Sequence, residues 1–196
     1  MNDVFTYKLE DLLYINLTNS CTNSCSFCIR DKCDGLGGNN LWLERSPTAS
    51  EIISRIPEPL LYPEIVFCGF GEPTMRLDVL KEVAKYLKDK GGITRLNTNG
   101  HGNIINKRDI VPELKGLIDI VSVSLNAGTK EEYDRICSPK LPNAFEAVTD
   151  FIEKSAKTLP RTVATVVRVP GEDLDIEKAR RLATKLGAEF RIRDYE

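Results

Sequence analysis

Apolar positions in this chain follow two rhythms that take turns. Short runs, several of them β-branched, alternate with longer stretches in which apolar residues recur every three or four positions. Leu13–Leu17, Glu64–Cys68, Ile93–Leu96, Ile120–Leu125, Thr162–Val169 and Phe190–Arg193 read as six strands. Several are continuous, the pattern of strands covered on both faces. Between them, Leu77, Leu80, Val83, Ala84 and Leu87 share one face of a helix that Gly91-Gly92 terminates. Ile176, Ala179, Leu182, Ala183 and Leu186 make a second stripe, with Gly187 at the C′ position. Thr48-x-x-Glu51, Thr129-x-x-Glu132 and Asn143-x-x-Glu146 mark three more helix starts.

Strand–helix alternation predicts an α/β fold with a parallel sheet and right-handed crossovers. Six units fit either an open doubly wound sheet or a partial TIM-type barrel, (βα)6, and periodicity does not choose between them. The polar motifs favour the barrel. A cysteine loop, GFGEP, LNTNG and SLNA all follow the C-terminal ends of strands. A barrel converges such ends on one mouth, whereas an open sheet gathers fewer at one crevice. Residues 1–196 are expected to form a single domain. Residues 31–45 follow neither rhythm and hold three glycines, two asparagines and the only Trp, Trp42. This irregular loop reads equally as a lid over a site and as a surface excursion pinned by Trp42.

Composition adds exclusions. Twenty-seven basic residues against 29 acidic ones leave a formal charge of −2, and no block of five like charges occurs. Nucleic acid is therefore not implied as a partner. No run of eighteen apolar residues exists, so no membrane span is expected. The N-terminal stretch carries acids and lacks a basic n-region, so it does not read as a secretory signal. A cytoplasmic location is expected, where the six cysteines stay reduced and free to bind metal.

Three of those cysteines share one loop. Cys21, Cys25 and Cys28 are spaced C-x3-C-x2-C, with Phe27 just before the third. Three thiolates can hold three irons of a [4Fe–4S] cubane and leave the fourth open to a ligand that is not protein. An open coordination position marks a reactive site. The other reading is structural zinc, or three unrelated buried thiols. Zinc sites of this size usually bring paired C-x2-C units or Cys/His mixtures, and the lone histidine, His101, is far away in sequence. Cys33 reads as a loop residue, Cys68 as a small apolar filler at a strand end, and Cys137 as a helix-end residue with no evident partner. One cluster is expected.

With these residues in view, the chain resembles the radical S-adenosylmethionine (SAM) superfamily. The cysteine loop matches the family's motif. Gly69-Phe70-Gly71-Glu72-Pro73 resembles its Gly-Gly-Glu-Pro segment, with Phe70 in place of the second glycine. Asn97-Thr98-Asn99-Gly100, Ser124-Leu125-Asn126 and Arg168-Val169-Pro170-Gly171 are similar to its later strand-end segments, in the same order. Within the superfamily the chain is most similar to small stand-alone proteins named for linkage to a TatD-type nuclease.

The resemblance implies a (βα)6 core with a [4Fe–4S] cluster on Cys21, Cys25 and Cys28 and SAM as cofactor. It implies cofactor contacts among Gly69, Phe70, Gly71, Glu72, Asn97, Asn99, Ser124, Asn126, Arg168 and Val169. The glycines would admit the methionine ammonium close to the backbone. The same residues also have plain structural uses, as a tight turn and as Asn and Ser caps. The implied activity is reductive cleavage of SAM to a 5′-deoxyadenosyl radical that takes hydrogen from an unidentified substrate. That substrate, a small molecule or a protein, would lie on the barrel's open side, and a separate one-electron donor is required. An activase planting a radical on a partner protein is one alternative; a non-catalytic iron–sulfur or metal-binding module is another. Arg191 and Arg193 share a face of the last strand. They are substrate contacts if that face looks into the barrel, and surface charge otherwise.

Overall fold

The computed structural model describes residues 3–195. A hairpin of β1 (Thr6–Leu9) and β2 (Leu12–Ile15) opens the chain. A two-stranded ribbon, β3 (Gly35–Leu36) and β4 (Asn39–Asn40), follows, then α1 (Ala49–Ile53). Next come β5 (Ile65–Phe67), α2 (Leu77–Asp89) and β6 (Thr94–Thr98). Two short helices, α3 (Gly102–Ile105) and α4 (Val111–Leu114), lead to β7 (Ile120–Ser124). The chain continues through α5 (Lys130–Cys137), α6 (Ala144–Thr158), β8 (Arg161–Val167), α7 (Ile176–Lys185) and β9 (Glu189–Arg193).

The main sheet runs β1-β2-β5-β6-β7-β8-β9, with β1 antiparallel and every later pair parallel. Each parallel strand lies beside its predecessor. That sequential winding belongs to a barrel, because a doubly wound sheet reverses its order at a switch point. β1 and β9 are the two ends of the strand order, so the barrel is partial. All six strands expected from the sequence are present. β1 is additional; at four residues it is too short to show a period, and its pairing with β2 covers what would be an open edge. The irregular segment contains the β3–β4 ribbon.

The helices start and stop for local reasons. Thr48 and Glu51 form a full capping box, Thr129 accepts from the Glu132 amide, and Asp175 accepts from the Lys178 amide. Asn143 departs from expectation. It adopts φ 53° and its side chain makes no cap, so the Asn143-x-x-Glu146 signal found the right helix start through the wrong device. Gly91 and Gly187, at φ 79° and 82°, end α2 and α7 in the left-handed region that glycine enters without cost.

The two faces of the sheet differ in chemistry. Outward positions Ile15, Phe67, Leu96, Val123 and Val166 meet the helices in one core with Leu80, Val83, Leu87, Val148 and Phe151. Each such side chain contributes about 1.5–3 kcal/mol on burial. β5 and β8 are buried on both faces, as continuous runs predict. On β6, β7 and β9 the burial alternates or thins, and the inward positions include Arg95, Asn97, Ser122, Ser124, Arg191 and Arg193. On these strands the inner face lines a chamber. Among the described residues no helix is long and apolar enough to cross a membrane.

Candidate functional site

The cysteine loop leaves β2 at the C-terminal rim of the sheet and is tied down by backbone on two sides. On one side, Ser24 N donates to Cys137 O at 3.1 Å, Ser26 N to Ile136 O at 2.9 Å, and Lys140 N to Thr22 O at 2.8 Å. These bonds dock the loop on the end of α5. On the other side, Glu72 N donates to Ser20 O at 2.8 Å. Arg30 reaches back from beyond Cys28 and its guanidinium donates to the Asn19 and Asn23 carbonyls, both at 3.4 Å.

Gly69 and Gly71 owe their identity to this junction. A Cβ on Gly71 would stand 2.3 Å from Thr18 O and 2.5 Å from Ser20 O. A Cβ on Gly69 would stand 2.0 Å from Asn16 Oδ1, displacing a side chain whose Nδ2 donates to Leu41 O at 2.7 Å. The close approach these glycines permit is to the strand and loop carrying the cysteines. Phe70, the residue that departs from the family pattern, is buried in a small cluster with Tyr7 and Leu41. Its ring meets the edge of Trp42 at 5.0 Å. The irregular segment is thereby pinned on the barrel, with Trp42 left 40% exposed.

Glu72 accepts four hydrogen bonds from the protein. Its Oε1 accepts from Thr74 N (3.0 Å), Thr74 Oγ1 (2.7 Å) and Thr98 Oγ1 (2.7 Å), and its Oε2 from Asn99 N (2.7 Å). Burial still raises its pKa above the carboxylate norm, against the pull of those donors. The carboxylate fastens the turn after β5 to the end of β6.

Beyond β6 a buried polar network reaches the cysteines. Asn99 Nδ2 lies 2.9 Å from Thr22 Oγ1 and 3.7 Å from Cys21 Sγ. Thr22 Oγ1 lies 2.8 Å from His101 Nδ1, and His101 Nε2 lies 3.0 Å from the Tyr133 hydroxyl. Tyr133 also accepts from Asn23 Nδ2 at 3.2 Å. Burial lowers the His101 pKa to about 4, so the imidazole is neutral. Distance in sequence hid this histidine: 79 residues separate it from Thr22.

The three thiols are half-buried at the rim. Burial raises the pKa of Cys21 and Cys28 above the ordinary thiol value. Cys25 is raised further, first by the neighbouring Cys137 thiol and then by burial. Cys137 therefore has partners after all: Cys25, and Asn126 Nδ2 at 3.3 Å. Neutral thiols in such surroundings become thiolates when a cation takes the charge. Among the described residues no three His, Cys, Asp or Glu side chains converge as ligands of a single ion. A cubane asks for one thiolate per iron instead.

Other expected site residues line the inner face or its rim. Asn97 stands beside Cys68, which proves to be an inward, half-buried thiol rather than a sealed apolar filler. Asn97 and Asn126 each keep a buried side-chain carbonyl without a donor. Ser124 pairs in register with Thr165 on the same face. Arg168 is exposed and Val169 half-buried at the end of β8, where Arg168 N donates to Arg193 O at 2.9 Å. Cys33 stays in the ribbon, its thiol directed to Gly35 O at 3.1 Å.

Known proteins resemble this chain in sequence and in fold. The family model described as the radical SAM superfamily matches residues 15–183. A protein of Thermococcus kodakarensis named as a GTP 3′,8-cyclase is 31% identical over 185 residues, which are 94% of this chain and 56% of that one. The chain thus spans about half the length of that relative. Among solved structures, TYW1 with a lysine-pyruvate adduct bound superposes with a TM-score of 0.68 at 16% identity, covering 95% of this chain and 65% of that one. Streptococcus suis SuiB bound to S-adenosylmethionine superposes at 0.65 with 13% identity, covering 94% and 40%. These two likenesses concern the fold. The family's enzymes use a [4Fe–4S] cluster and SAM, and with the family model matched across most of its length, this chain belongs to the radical SAM superfamily.

Proposed function

We propose that the chain holds a [4Fe–4S] cluster on Cys21, Cys25 and Cys28 and binds SAM across the inner rim of the sheet. One observation carries this reading. Beside the three-thiol loop, Asn126, whose Nδ2 meets the Cys137 thiol, keeps a buried acceptor carbonyl that no protein group satisfies, and Asn97 keeps another on the inner face of β6. Unsatisfied buried acceptors are costly, and a ligand bearing ammonium and hydroxyl donors would meet them. When bound, the cluster and SAM supply one-electron cleavage to a 5′-deoxyadenosyl radical, which takes hydrogen from the substrate.

The protein's share is binding, orientation and exclusion. The Gly69–Glu72 turn presents backbone carbonyls for the methionine ammonium, held by Glu72 and the Ser20 carbonyl. Asn97, Asn99, Ser124 and Asn126 face the ribose and carboxylate, and Val169 offers apolar cover for adenine. Cys137 puts a thiol beside Cys25, the type of neighbour that tunes a cluster's potential. Phe70 and Trp42 hold residues 31–45 against the rim as a partial cover.

The test is anaerobic. The protein is reconstituted with iron and sulfide, reduced, and given SAM. A shift of the cluster's electron paramagnetic resonance signal and formation of 5′-deoxyadenosine are expected. Loss of the brown absorbance is expected in Cys21→Ala, Cys25→Ala and Cys28→Ala; a full cubane in any of them would refute the ligand assignment.

A further inference from the structure

The inner wall of the barrel carries a second, separable message. TIM-type barrels normally fill the interior with branched apolar side chains. Here the inward positions Asn97, Ser122, Ser124, Thr165, Arg191 and Arg193 are polar, and successive strands bring them into register. From this wall a cavity of about 270 Å³ extends toward the N-terminal ends of the strands, bounded by Glu64, Arg95, Ser122, Arg161, Glu189 and Arg191, among others. That volume is near the lower end of ligand pockets, which run from roughly 300 Å³ upwards.

Charge in the chamber is uneven. Arg95 Nη1 meets Glu64 Oε2 at 2.8 Å and Arg161 Nη2 meets Glu189 Oε2 at 2.8 Å. Arg191, the third guanidinium on the cavity, makes no ion pair among the described residues. Three arginines against two glutamates leave a surplus of one positive charge on this wall. The first pair is also incomplete. Arg95 Nη1 and Glu64 Oε2 approach without hydrogen-bond alignment, and both Arg95 Nε and Glu64 Oε2 are buried without a hydrogen-bond partner. A guanidinium fork without a carboxylate, beside a buried donor without an acceptor, matches a ligand with two or more anionic oxygens.

We infer that this chamber binds the anionic group, carboxylate or phosphate, of a small-molecule substrate, with Arg191 as the principal donor and Arg95 Nε as the second. Naming that ligand a substrate rests on the radical-enzyme reading above; the anion site itself does not. Arg191 stands in register with Thr165 and Ser124, and Asn97 and Ser122 lie between Arg95 and the rim; these polar side chains would orient the remainder of the molecule toward the SAM-binding side.

Titration calorimetry on the reconstituted full chain, without SAM, tests this. The probes are inorganic phosphate and succinate, at ionic strength matched with chloride. Saturable binding of one probe is expected, weakened tenfold or more in Arg191→Gln and unchanged in Arg180→Gln, whose guanidinium packs on Phe190 instead of lining the cavity. Preference for phosphate or succinate identifies the group. Equal affinity of wild type and Arg191→Gln, or no saturable binding of either anion, would overturn the assignment. Circular dichroism confirms that Arg191→Gln is folded, which its exposed position on β9 favours. The 5′-deoxyadenosine assay is run in parallel. Cleavage without anion binding removes the chamber assignment alone; anion binding without cleavage removes the radical-enzyme reading alone.

Discussion

His101 Nδ1 lies 2.8 Å from Thr22 Oγ1, the residue that directly follows Cys21. Through this contact the lone histidine joins the end of β6 to the cysteine loop, and its other nitrogen reaches α5 through Tyr133. All the side chains in the chain from Asn99 to Asn23 are buried, so each bond exists in a setting where leaving it unmade is costly.

His101→Ala should take one buried partner each from Thr22 and Tyr133, which keep Asn99 and Asn23, and lower stability by about 1–3 kcal/mol. Urea denaturation measures that loss. Because the loop is held through Thr22, iron bound per chain after reconstitution should fall as well. Stability loss with full iron content would mean that backbone bonds to α5 suffice to hold the loop.

The same histidine predicts a pH dependence. Burial holds its folded pKa at about 4, below the ordinary 6.5. The unfolded chain therefore takes up the proton first as pH falls. The stabilisation is full above about pH 6.5 and drains away toward about pH 4, by about 3 kcal/mol at roughly 1.36 kcal/mol per pKa unit. Buried Glu72, with its raised pKa, titrates in the opposite sense. The difference between wild type and His101→Ala isolates the histidine: the variant's stability should fall less steeply between pH 6.5 and 4. Parallel curves would contradict the neutral, buried imidazole.

Gly71→Ala should act on the cluster from a distance. The added methyl meets two backbone carbonyls, Thr18 O and Ser20 O, neither of which is a flexible chain end. Relief requires moving the strand end that leads into Cys21. We expect reduced iron retention together with weaker SAM binding. A Gly116→Ala variant, where nothing lies within 4 Å, should cost only the left-handed strain of about 1–2 kcal/mol and leave the cluster intact.

Phe70→Ala removes the ring that holds Trp42. A buried phenylalanine truncation costs about 3–5 kcal/mol, and the irregular segment should loosen locally. Since Trp42 is the only tryptophan, its emission reports directly. A red shift and faster proteolysis within residues 31–45 are expected. An unchanged spectrum would show that the ribbon and the Asn16–Leu41 bond anchor the segment without Phe70.

Glu72→Gln puts an amide among groups that all donate. Thr74, Thr98 and the Asn99 amide have no alternative acceptor at that point, so one donor must face another. Destabilisation of about 1–3 kcal/mol is expected, with weaker SAM binding through the displaced turn. Unchanged stability in thermal denaturation would remove Glu72 from its fastening role.

The sequence by itself determined the six parallel strands, the helix stripes between them, and the cysteine motif. These depend on neighbours three or four residues away, or on spacing within one loop, and such local relations are written directly in the chain. It did not determine which polar residues would meet. That Thr74, Thr98 and Asn99 would converge on the Glu72 carboxylate was not legible, because they come from the turn after β5 and from the end of β6. Gly69 and Gly71 were legible as close-approach positions, but the partner proved to be the strand carrying the cysteines. His101 had no signal at all, since burial and a partner 79 residues away exist only once β6 lies near the cysteine loop. The inward direction of Arg191 likewise followed from strand register and from the closing curve of the sheet. Periodicity fixes which residues share a face; only packing decides whether that face looks into a chamber or out to water.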